Sequence, residues 1–150
     1  MLGVILSLLP LLVAENSAKI FVYCPWDSLQ RSRLTISFDN IRGAEIQPGR
    51  FFLLNVKAGS HVLIPGPGVP LVVDIGAGEE AFVRVGRRIE MGPGGTTDSP
   101  MLDLPDPEVA RLDLVNLVYV APKKIHSDSV AKTDPFSHQV PKLKTRNSSE

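Results

Sequence analysis

The chain has 150 residues, with sixteen Lys+Arg against sixteen Asp+Glu and therefore no formal net charge. That length suits one domain, and the balance excludes both an overall cationic field for nucleic acid and the acidic excess that keeps chains unfolded. Thirteen prolines and twelve glycines disfavour long helices, and the single cysteine excludes an intramolecular disulfide and a cysteine zinc cage. Residues 1–14, MLGVILSLLPLLVA, carry no charge and eleven hydrophobic side chains. The run is shorter than the roughly 20 residues that cross a bilayer and has the character of a signal-peptide core. Cleavage is expected after Ala14, with Ala18 as a second position, although no Lys or Arg precedes Lys19. A buried first strand or short core helix is the alternative.

From residue 15 to 121 the pattern predicts short strands. Residues 18–24, AKIFVYC, are β-branched and aromatic and stop at Pro25. Residues 34–38, LTISF, turn Leu34, Ile36 and Phe38 inward and Thr35 and Ser37 outward. Asp39-Asn40 then supplies turn chemistry, as does Gln47-Pro48-Gly49, where Pro presets φ and Gly accepts a positive one. Strands follow at residues 50–56 and 61–64, the latter ended by Pro65-Gly66-Pro67-Gly68. Residues 71–75 and 81–85 are expected to pair around a hairpin turn at residues 76–80. Residues 92–105, with GPGG and TTDSP, predict a mobile loop. Asp106-Pro107-Glu108 combines an N-cap, a Pro at N1 and an acid in the first turn, which predicts a helix from Pro107 to Asn116. A last strand runs into Val120; Leu112, Leu114 and residues 117–120 also fit a strand throughout. Such spacing, punctuated by Gly and Pro, indicates an antiparallel β-sandwich, prealbumin- or immunoglobulin-like, with one short C-terminal helix.

Residues 122–150 hold only six hydrophobic side chains in 29, with six Lys/Arg against three Asp/Glu. So little apolar surface cannot offset the entropy of ordering, and a disordered polar tail is expected. The domain between leader and tail carries ten basic and thirteen acidic residues.

The segments KIFVYCPW, ISFDNIRGAEIQPGRFFLLNVKAGSHVLI and LVVDIGAGEEAFVRV, in that order over residues 19–120, resemble the bacterial envelope family known as domain of unknown function 2846. The shared elements are a first strand, a turn-containing short strand, a "G.yf" strand, a "pG.h.l" strand and an "aGe.yyvrv" strand. Here they fall on residues 20–24, 36–43, 49–52, 58–63 and 77–85. Cys24 stands where an arginine is common, and Ala81 where an aromatic is usual. The resemblance implies a sandwich that is often exported or lipidated, with no known catalytic residues.

Candidate chemistry is sparse. Gly76-Ala77-Gly78-Glu79-Glu80-Ala81 formally fits a dinucleotide fingerprint, but FVRV follows instead of a helix and the two glutamates would repel phosphate. Cys24 shares the parity of Ile20 and Val22, which predicts burial as a small hydrophobe; a nucleophile would need a lowered pKa and a His partner. A metal site needs three or four converging ligands, and His61 with Asp74 or Glu79 falls short, so neither metal nor cofactor is expected. Tyr23 and Trp26, beside Phe21, are candidates for an aromatic platform for sugar or peptide, with packing over the sandwich rim as the plainer fate of Trp26. Arg84 alternates outward and predicts a surface ion pair.

The expected contact residues are therefore Tyr23, Trp26, His61 and Arg84, with none assigned a catalytic role. The function expected is a non-catalytic, exported β-sandwich with a binding or structural role in the bacterial cell envelope, periplasmic or secreted. Its partner would be an envelope protein or a cell-wall component, not nucleic acid, with no transmembrane helix in the mature chain. The alternative is a small-ligand carrier or hydrolase using a cleft near His61 and Trp26.

Overall fold

The computed structural model describes residues 16–28 and 33–122. The expected leader, and the expected tail beyond Pro122, lie outside the described residues. Within them the chain is mainly β, with two sheets and one short helix. The first sheet has the order β8-β7-β1-β4-β9, built from β1 (Ser17–Cys24), β4 (Arg50–Lys57), β7 (Glu80–Gly92), β8 (Gly95–Asp103) and β9 (Val118–Tyr119). The second has the order β3-β2-β5-β6, from β2 (Leu34–Phe38), β3 (Ile41–Ile46), β5 (Gly59–Pro65) and β6 (Leu71–Ile75). β1 runs parallel to β7 and β4 parallel to β9, while the other pairs are antiparallel.

The two sheets face each other across one apolar core. Ile20, Val22, Cys24, Phe52, Leu54, Val83 and Val85 of the first sheet meet Ile36, Phe38, Ile46, Leu63 and Val73 of the second, all buried. The other face of the first sheet is covered as well. α1 (Pro107–Leu114) places Ala110 and Leu114 on Phe21, Tyr23, Phe51, Leu53 and Phe82. That double cover explains why every residue of β1 from Ile20 to Cys24 is buried, whereas β2 alternates as a one-sided strand should. The helix begins as its sequence predicts, with the Asp106 carboxylate accepting from Glu108 N at 2.8 Å, and it ends at Leu114 rather than Asn116.

Two expectations about connections are corrected. β6 and β7 do not form a hairpin: β6 pairs with β5 in one sheet, and β7 joins β1 and β8 in the other. The turn at residues 76–79 therefore crosses between sheets. It is closed by Glu79, whose carboxylate accepts from Gly76 N at 2.7 Å, while Gly78 N donates to Ser17 O at 2.7 Å. Residues 92–105 are not a mobile loop, because Pro93-Gly94 is a two-residue turn between Gly92 and Gly95, and residues 95–103 pair along β7 as β8. Pro100 is tolerated there because β8 is the edge of its sheet. The turn expected at Asp39-Asn40 is present, with φ of 44° and 62°, the left-handed pair that Asx residues accept and that hairpins favour, and it leads into β3, a strand not expected from the sequence.

Candidate functional site

The four residues singled out from the sequence are each bound into the scaffold. Tyr23 sits on the helix-covered face of β1, fully buried, and its hydroxyl donates to Asp113 Oδ2 of α1 at 3.0 Å. It is thus no part of an exposed aromatic platform; the helix that the sequence placed correctly is what covers it. Burial, reinforced by the hydrogen bond to Asp113 and that residue's charge, raises the phenol pKa well above its ordinary value.

Arg84 lies beside Tyr23 in the sheet and opposite Asp103 on β8. Its guanidinium donates twice to that carboxylate, Nε at 3.1 Å and Nη2 at 2.5 Å, which is the surface pair expected. The fork raises the guanidinium pKa further, so the charge is permanent and already matched. The register continues past Tyr23 to Phe51 and Tyr119, so one rung carries Asp103, Arg84, Tyr23, Phe51 and Tyr119 across all five strands.

Trp26, in the loop after β1, is 64% exposed. One edge of the ring lies on Gly49, and its Nε1–H donates to Asn116 O at 3.3 Å. It therefore ties the chain beyond α1 to the turn before β4, the rim packing that was the plainer expectation.

His61, the third residue of β5, lies at the other end of the sandwich. Its Nδ1 is 2.7 Å from Asp39 Oδ2 and its Nε2 is 2.7 Å from Lys57 O, while the ring stacks on Phe38 at 5.2 Å. The other oxygen of Asp39 accepts from Val62 N at 2.8 Å. An acceptor faces each ring nitrogen, so His61 clips the β2–β3 turn to the end of β4 and keeps no nitrogen for a substrate. β4 runs from beside Trp26 to Lys57, so His61 and Trp26 stand about 25 Å apart at a strand rise of about 3.3 Å. They share no cleft. The same distance separates His61 from Cys24, which pairs with Arg50 at the Trp26 end. Burial first, then the nearby Asp27 charge, pushes the Cys24 thiol up to about 12. That is the opposite of what a nucleophile needs.

Two hollows lie elsewhere. One of about 400 Å³ opens where the sheets part, between β3 and the β4–β9 edge, lined among others by Arg33, Glu45, Ile46, Gln47, Arg50, Phe52 and Val120. Arg33 reaches Glu45 at 3.6 Å, whereas Arg50 has no carboxylate partner among the described residues. The other, about 450 Å³ and shallower, lies beside Arg84, Arg87, Met101 and Asp103 at the base of the β7–β8 hairpin. Sequence reasoning passed over the first hollow because its walls come from the two sheet edges, and nothing in the local pattern marks a gap between them. Beyond the sandwich the β7–β8 hairpin continues as a two-stranded arm. Residues 88–99 are all exposed, with Ile89 and Met91 on one face and Met91 88% accessible. Ion pairs Arg87–Asp98 and Arg88–Glu90 leave the arm close to neutral.

Comparison with known proteins returns no matching family model, no matching curated protein and no matching solved structure. Among the described residues no helix is long and apolar enough to cross a membrane.

Proposed function

We propose that the chain is a non-catalytic binding or structural module of the bacterial cell envelope. The observation that carries the non-catalytic part is the engagement of its chemistry-bearing side chains. Both nitrogens of His61 are held, Arg84 is matched by Asp103, Tyr23 is sealed under α1, and the Cys24 thiol is buried and neutral. What remains available is surface: the arm of residues 88–99, whose apolar Ile89 and Met91 stand clear of the core. Adjacent exposed apolar side chains on an edge hairpin are a surface that a partner can cover. Export to the envelope is supported by the chargeless apolar residues 1–14 and by the resemblance in strand order over residues 19–120.

Fractionation of cells expressing the native chain, combined with a photo-crosslinking residue at Met91, tests both parts. The expected result is an envelope fraction lacking residues 1–14 and a discrete crosslinked envelope species that Ile89→Asp abolishes. A cytoplasmic chain with Met1 intact would overturn the location. Crosslinking at Met91 no different from that at Val72, an exposed residue on the far sheet, would overturn the role of the arm.

A further inference from the structure

We infer that the open seam between β3 and the β4–β9 edge binds an amphipathic monoanion, with its apolar body against Ile46, Phe52 and Val120 and its anionic head on Arg50. A hollow of about 400 Å³ is within the range that small-molecule sites occupy. Its inner wall is apolar because Ile46 and Phe52 are core residues whose inward faces meet at this edge. Its mouth is cationic. Arg50, the first residue of β4, lines the opening half-buried and forms no ion pair among the described residues, although Glu45, paired with Arg33, lines the same hollow. The second cation, Arg33, is partly neutralised by Glu45 at 3.6 Å, and that pair is well exposed to solvent.

This charge arrangement selects the ligand. A neutral molecule would leave the Arg50 guanidinium unmatched, although a guanidinium aimed at a carboxylate-type head is among the stronger recognition contacts. A second negative charge on the ligand would fall near Glu45, where it meets repulsion instead of a donor. One anionic group on an apolar body is the combination that satisfies both the wall and the mouth. Gln47 adds an amide at the same rim. The inference rests on reading the chain as a binder and not as an enzyme, but it does not depend on where in the cell the chain resides.

Octanoate and 1-octanol make the test pair, since they share the apolar body and differ in the head. With the full chain, calorimetry and amide chemical-shift mapping should show octanoate binding in the sub-millimolar range, the scale for about ten heavy atoms. Octanol should bind at least about ten-fold more weakly, the size of one charge-assisted contact. Shifts should fall on Ile46, Gln47 and Val120. Arg50→Gln should erase the preference for octanoate while leaving octanol unchanged. Should that variant fail to fold, two exposed-rim changes carry the test: Glu45→Gln, which frees Arg33, should tighten octanoate by about two- to five-fold, and Gln47→Glu should weaken it by a similar factor. Equal binding of octanoate and octanol, shifts mapping outside the seam, or no binding at all would overturn the inference. Each of those results leaves the crosslinking at Met91 free to succeed, so failure of the pocket is distinguishable from failure of the binding reading.

Discussion

Gly49 meets two demands at once, and replacing it by alanine separates them. Its φ is +77°, and a Cβ built there would lie 2.4 Å from Cζ2 of Trp26. Alanine in a left-handed conformation costs about 1–2 kcal/mol. Displacing the indole adds the loss of its packing and of its exposed hydrogen bond to Asn116 O, together about 1 kcal/mol. Gly49→Ala should therefore destabilise the native chain by about 2–3 kcal/mol. In a Trp26→Ala background the clash is absent and only the backbone cost of about 1–2 kcal/mol should remain. The coupling between the two sites is then about 1 kcal/mol, as expected for residues in direct contact. Urea unfolding followed by far-ultraviolet circular dichroism measures all four corners, because Trp26 is the chain's single tryptophan and cannot serve as the probe throughout. A cost for Gly49→Ala below about 0.5 kcal/mol, or the same cost in both backgrounds, would refute this account of the β1–β4 end of the sandwich.

The two raised acids make stability fall at high pH. In the unfolded chain the thiol and the phenol ionise near roughly 8.5 and 10, whereas burial keeps Cys24 protonated to about 12 and raises Tyr23 as well. Above about pH 9 the unfolded state thus binds fewer protons than the native one, and stability declines by up to about 1.4 kcal/mol per pH unit for each group. Urea midpoints between about pH 8 and 11 should fall more gently in Cys24→Ala and in Tyr23→Phe than in the native chain; three equal slopes would contradict the burial of both groups. For the helix, Leu114→Ala should cost about 2–4 kcal/mol because the side chain is 3% exposed against the sheet. Leu112→Ala, two residues away and 72% exposed, should change stability by less than about 0.5 kcal/mol in the same denaturation assay.

What could be read in advance followed the range of the interaction. β2, β4 and β6 announce themselves through period-two alternation or β-branched content bounded by turn residues, and α1 through its cap and Pro; each is a local signal. β3, IRGAEI, escaped because a glycine and two charges dilute the pattern, and because it is held by pairing with β2. β8 escaped for a similar reason: Gly, Thr, Asp, Ser and Pro resemble a loop until β7 supplies the partner edge. The supposed β6–β7 hairpin failed because neighbours in sequence were assumed to be neighbours in a sheet, whereas β7 completes a ladder begun by β1. At the site level, the parity of Cys24 and Arg84 was legible. The partners of Tyr23 and Trp26, Asp113 and Asn116 O, each lie 90 residues away, beyond any local pattern.

The two surfaces assigned to binding lie at opposite edges of the first sheet. The faces of the first sheet are closed, one by the second sheet and the other by α1, and the ends are pinned by the His61 clip and by Trp26 on Gly49. Among the described residues, what the first sheet leaves open is its two edges. On the β8 side the strand pair simply outruns the core, so the arm projects for as long as β7 and β8 stay paired, up to the Pro93-Gly94 turn. On the β9 side the reverse holds. β9 pairs with Arg50 and Phe51 alone, and one further bond, Val120 N to Phe51 O at 2.9 Å, is the last before Pro122. Proline has no N–H to donate to a ladder, so Pro122 cannot supply the next bond to β4. Among the described residues no strand pairs with that edge of β4 beyond Phe51, and the hollow beside Arg50 is lined on this side by Val120, Ala121 and Pro122.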